Sequence, residues 1–143
     1  MILLQTLLDQ LKMKDALVFR SASVNEVQTT SISLVKAGFG RIPRGYLNFL
    51  NLSDGLSWNG VELFSCTPHE RAGTVFNQPD LLEYQTKYAK GHFFNRRLVL
   101  GRTMEMLLCY SADTHCYEFV DRNSLSVVLK LPRFEDVLYR IMA

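Results

Sequence analysis

The chain has little of what enzymes use to do chemistry. Three cysteines, 3 histidines and a single tryptophan are spread over 143 residues. No Gly-rich phosphate loop, G-x-S-x-G elbow or H-E-x-x-H helix is present, so phosphate-loop enzymes, α/β-hydrolases and helix-borne zinc proteases have no motif behind them. The cysteine count is odd, which fits free thiols in a reducing cytoplasm better than a disulfide framework. A net charge of +2 is small, and Arg96-Arg97 is the only adjacent basic pair. A chain that binds nucleic acid usually gathers its Lys and Arg on one face, so no nucleic-acid partner is expected. Long apolar runs are missing too. The N-terminal MILLQTLLDQLKMK is broken by Gln5, Asp9 and Gln10, well short of the roughly 20 residues of a membrane span. It also lacks the basic start and small-residue cleavage site of a signal peptide.

What is present is an ordinary globular composition, 48% hydrophobic and 21% charged, enough for one domain with its own core. The most informative stretch is GFGRIPRGYLNFLNLSDGLSWNG, residues 38–60. Gly38 and Gly40 suit a helix end, because glycine enters positive φ without a Cβ clash. Pro43 suits the first turn of a new helix. Tyr46, Leu47, Phe49 and Leu50 form its apolar arc, with Asn48 and Asn51 opposite, and Ser53-Asp54-Gly55 is a turn. Before it, Leu4, Leu7, Leu8 and Leu11 predict a helix over 2–13, and 16–20 reads as a strand or a linker. Ser23 and Glu26 have capping-box spacing for a helix over 24–37, whose apolar face takes Val24, Val27, Leu34 and Val35.

After it, Trp58 to Phe64 suggests two short strands, or a strand and a turn, and 66–78 a loop marked by Pro68, Gly73 and Asn77. Residues 79–90 read as a helix with Leu81, Tyr84 and Tyr88 on one face, stopped by Gly91. The runs 98–100, 106–110, 117–120 and 125–129, separated by short breaks, predict antiparallel hairpins. Phe134, Val137, Leu138, Ile141 and Met142 complete a helix over 132–142. These elements sum to a soluble α+β domain over 1–143, with 1–22 as an N-terminal helix and connection.

In this order the motifs resemble the SUKH superfamily, in particular its Smi/Knr-like branch. Ile42-Pro43 stands at the family's Leu-Pro start, Tyr46 at its aromatic, Phe49-Leu50 at its Phe-Leu pair and Asp54-Gly55 at its Asn-Gly turn. Leu98–Gly101, Leu107–Tyr110, Tyr117–Asp121 and Phe134–Leu138 are similar to its later strands and Phe-led helix. The resemblance spans Val24 to Ile141. It implies a mainly antiparallel sheet of about 4–6 strands with helices packed around it. It also implies a non-enzymatic, cytoplasmic protein-binding domain without cofactor. Many bacterial members resemble immunity proteins that bind and block a cognate toxin, and others are regulatory interaction domains. Two features depart from the family. Leu131 is a poor cap for the last helix. The charge of +2 differs from the acidic balance that suits a basic nuclease partner. A local acidic patch from Glu62, Glu70, Asp80 and Glu83 would restore complementarity.

Trp58, Glu62, Phe94 and Arg96 are the candidate partner contacts, because buried aromatics and arginines dominate protein interfaces. Trp58 also reads as core beside a sheet, and one ring of Phe93-Phe94 is expected to enter the core. Arg96-Arg97 reads as solvated. Cys66-x-x-His69 together with His115-Cys116 has zinc-site spacing, yet neighbours on a strand point to opposite faces. Buried cysteines commonly just pack, so no metal is expected. A small enzyme pairing Cys66 or Cys116 with a histidine is the reading from another class, and no catalytic residue is assigned. The oligomeric state is not fixed by these features.

Overall fold

The computed structural model describes residues 3–70 and 77–143. Within them the chain is α+β. The first half runs α1 (Leu4–Met13), β1 (Leu17–Val18), α2 (Val24–Lys36), α3 (Arg44–Leu50), β2 (Leu56–Trp58) and β3 (Val61–Leu63). A two-stranded ribbon of β4 (His69–Glu70) and β5 (Asn77–Gln78) leads to α4 (Leu81–Tyr88). The second half is β6 (Arg97–Arg102), β7 (Met106–Ser111), β8 (Cys116–Asp121), β9 (Val127–Leu131) and α5 (Phe134–Met142). No helix is long and apolar enough to cross a membrane among the described residues.

The main sheet has seven strands in the order β1-β2-β3-β6-β7-β8-β9, every pair antiparallel. That is more than the 4–6 expected, and the reason is local. β1 has two residues and no periodicity of its own; it is a strand because Leu17 and Val18 pair with Ser57 and Leu56. The expected loop over 66–78 also holds paired backbone, with His69 opposite Gln78 and Glu70 opposite Asn77. Gly73, a marker of that loop, lies outside the described residues.

The helices begin and end where short-range chemistry puts them. Ser23 accepts the Glu26 backbone N–H, and the Glu26 carboxylate accepts the Ser23 N–H at 2.9 Å, a complete capping box. Gly38 and Gly40, with φ of 87° and 99°, take the chain out of α2. Pro43 is the cap of α3, one residue before its first turn. At α5 the cap is Arg133 rather than Leu131, its side chain makes no capping bond, and the start is marked by Glu135 and Asp136 at the positive end of the helix. α2 turns a different face inward from the one expected. Thr30 and Leu34 are buried and Val27 is half-buried, while Val24 and Val35 face solvent. Thr30 is admitted to the core side because its hydroxyl reaches the Cys66 carbonyl at 3.5 Å.

The core is aromatic at its centre. Tyr46 and Phe49 from α3 and Phe134 from α5 meet with ring centroids 5.2 Å apart in each pair. Each buried ring contributes roughly 2–3 kcal/mol by area. The Tyr46 hydroxyl reaches past them to the sheet, 2.5 Å from the Phe64 carbonyl and 3.1 Å from that of Leu100. Gly101 lets β3 approach β6, since a Cβ there would lie 2.5 Å from the Glu62 carbonyl oxygen. β3 pairs with β6 only at Arg102 and Gly101. Beyond it the Gln85 side chain of α4 acts as a strand edge: it accepts the Val99 N–H at 2.9 Å and donates to the Val99 carbonyl at 2.7 Å.

Candidate functional site

Three groups with chemical potential converge behind the Ser53-Asp54-Gly55 turn. Asp54 is fully buried, and its carboxylate accepts the backbone N–H groups of Cys66 (2.7 Å) and Thr67 (3.3 Å) and the Thr67 hydroxyl (2.8 Å). His69 Nε2 lies 2.8 Å from the same carboxylate, and its ring stacks on Phe19 at 4.2 Å. Cys66 is three residues away in sequence. The arrangement holds a loop. The bonds to the Asp54 carboxylate pin residues 66–69 against the turn, and no hydrogen bond among the described residues joins the Cys66 thiol to the imidazole. Burial pushes that thiol up to about 12, so at neutral pH it is protonated and a poor nucleophile. Cys109 is held up to about 12 as well, by burial first and the nearby Glu118 second. Among the described residues, no three His, Cys, Asp or Glu side chains are grouped to hold a metal ion.

The four residues singled out as partner contacts do not form one patch. Trp58 is half-buried on β2, its indole N–H donating to the Lys14 carbonyl at 3.1 Å. Glu62 on β3 pairs with Arg102 at 2.9 Å, at the C-terminal end of β6. Phe94 and Arg96 precede the N-terminal end of the same strand. Six strand residues, about 20 Å, separate the two pairs. Phe93 and Phe94 are both half-buried, edge to face at 5.2 Å. Arg97 is not a solvated partner of Arg96: it lies over the Phe93 ring at 4.2 Å and pairs at 2.9 Å with Glu118, which is fully buried. The second Glu118 oxygen is buried without a hydrogen bond among the described residues.

Three of the acids expected in a local patch have partners within the chain. Glu83 pairs with Lys87, and Asp80 caps α4 by accepting the Glu83 N–H. Glu62 is engaged by Arg102, and the side chain of Glu70 lies outside the described residues.

The feature that stands out is the outer face of α2 and the connection that follows it. Val24, Ile32 and Val35 are 69, 55 and 50% exposed. Ile32 and Val35 join Ile42 and Leu47 in an open groove of about 490 Å³, with Lys36 and Arg41 on its wall. A second cavity of about 480 Å³ shares Arg41 and Ile42 and continues to Tyr110, Arg96 and His115. Arg96 and His115 both hold left-handed backbone, φ 62° and 55°. Lys36, Arg41 and Arg44 have no ion-pair partner among the described residues. Arg44 also sits in the first turn of α3, where the helix dipole disfavours a cation.

Of the four expected contacts, only Arg96 lies on this surface, and it is paired with Asp113. Ile32, Val35, Lys36 and Arg41 were not singled out by sequence reasoning. Their signal was weak but present: a helix with more β-branched residues than its buried stripe can use. No family model matches this sequence, and neither does any curated protein.

Proposed function

We propose that this chain is a cytoplasmic, SUKH-type protein-binding domain that acts by occupying a partner's surface, with neutralisation of a cognate toxin as the leading role and regulation without a toxin as the alternative. The observation that carries the reading is the apolar, cation-edged surface of α2 and the 37–43 connection, which has the composition of an interface and is left exposed among the described residues. Two further findings support it. The motif order that resembles the family coincides with an antiparallel sheet wrapped by helices. Cys66, whose loop also brings His69 to the Asp54 carboxylate, is a buried, protonated thiol whose neighbours serve as loop ties.

The experiment is co-expression. The chain is produced with the product of the reading frame beside its gene, and complex formation and cell survival are measured. A co-purifying complex and rescued growth are expected; neither complex nor rescue, with no partner recovered by crosslinking from its own cells, overturns the reading. A small thiol enzyme is the competing class, favoured by the proximity of Cys66, His69 and Asp54. Replacing all three cysteines with serine separates them: function persists under surface binding and disappears under thiol catalysis.

A further inference from the structure

The solvent side of α2 departs from what an exposed helix usually shows. An exposed helical face is normally charged, with carboxylates and cations interspersed. Here its exposed residues are Val24, Asn25, Gln28, Thr29, Ile32, Val35 and Lys36, with no carboxylate among them. The single acid of the helix, Glu26, is turned away to Arg20 at 2.7 Å. Val24, Gln28, Ile32 and Val35 follow one another at steps of four, four and three, a continuous ridge along the helix. The groove beside that ridge is floored by Ile42 and Leu47, and its charges are all positive.

We infer that this groove receives an amphipathic helix of a partner protein whose apolar stripe is flanked by Asp and Glu. The inference rests on the protein-binding reading and adds the partner's chemistry to it. Charge complementarity selects this occupant. Lys36 and Arg41, unpaired among the described residues, meet carboxylates on the incoming helix, while Ile32 and Val35 enter its apolar stripe. α2 spans 13 residues, so a partner helix of about 14 residues, roughly 20 Å, covers it. A second copy of this chain fits poorly, because it would bring Lys36 and Arg41 against the same cations across a twofold axis.

The probe is a capped helical peptide of about that length, with leucines at i, i+4, i+7 and i+11 flanked by glutamates, compared with the same peptide carrying lysines. Each is titrated into the isotopically labelled full chain and followed by amide chemical shifts. Shifts confined to α2 and residues 41–47 are expected, with the glutamate peptide at least about tenfold tighter at low salt and the difference shrinking at high salt. Ile32→Asp, at an exposed position that leaves the core intact, removes binding. Lys36→Glu with Arg41→Glu reverses the preference between peptides.

Equal binding of the lysine peptide, shifts elsewhere, or no binding of either peptide overturns the inference. So does concentration-dependent self-association that Ile32→Asp abolishes, which assigns the face to a second copy. The two levels separate cleanly. If Ile32→Asp still captures the cellular partner, this inference falls and the protein-binding reading stands. If the peptide binds as expected but the chain takes up no partner in cells, the reading falls.

Discussion

Cys66 and Cys109 are surrounded by apolar groups and carboxylates, and both effects favour the protonated thiol. Cys116 is half-buried at the start of β8. Alkylation by iodoacetamide near pH 8 is therefore expected to modify Cys116 first, with Cys66 and Cys109 at least about tenfold slower in the folded chain. Mass spectrometry of a time course reads this directly; early modification of Cys66 would reveal a reactive thiolate the surroundings do not explain. Asp54 is the costlier residue to lose. Asp54→Ala strands the Cys66 and Thr67 N–H groups and releases His69, an expected loss of about 2–4 kcal/mol by urea unfolding. A loss near zero would mean the 66–69 loop is held by something else.

The elements were legible in proportion to how local their causes are. Gln85 shows the opposite case: its amide completes β6 where β3 stops, a role no helical pattern announces. Gln85→Ala leaves a buried donor and acceptor at Val99 unpaired and is expected to cost about 2–4 kcal/mol, with amide exchange at Val99 accelerated. The capping box is the local case, three residues apart and readable from Ser23 and Glu26 alone. The hydrogen bond from Arg20 and the Ser23 N–H hold the Glu26 carboxyl at about 2, below its usual 4.5. The sign follows from that depression. Glu26 contributes stability above pH 4.5, and the contribution is lost as pH falls toward about 2. The stability difference between the native chain and Glu26→Gln is thus expected to shrink across that interval and vanish below it, and high salt weakens it because the pair is at the surface. A difference that does not shrink as pH falls from 4.5 to about 2 would contradict the assignment.

The hairpins of the second half were equally readable, since each strand lies beside its sequence neighbour. β1 was read as a strand or a linker and the β4–β5 ribbon as a loop, because two-residue strands are fixed only by distant partners. The phase of α2 was misread for a physical reason as well. Apolar residues were assigned to the core by type, yet Thr30 takes an inward place through a hydrogen bond and leaves Val24 and Val35 outside. The candidate surface depends on that displacement, so in the sequence it showed only as an excess of β-branched residues in α2.

At the scale of the whole molecule, most of the large apolar side chains among the described residues pack in the core, and the buried polar groups hold turns, a strand edge and an ion pair. Of the large apolar side chains left exposed, Val24, Ile32 and Val35 share one helix face, which is edged by cations and continues into the 37–43 connection and the start of α3. The central claim is that function resides in that face and not in a reactive group. The most direct measurement is partner capture, in parallel, by the chain with all three cysteines replaced by serine and by Ile32→Asp, each first shown to unfold near the native temperature. The account predicts that the cysteine-free chain retains the partner undiminished and that Ile32→Asp loses it by at least about tenfold in affinity. Loss on removing the thiols, with Ile32→Asp unaffected, would contradict it.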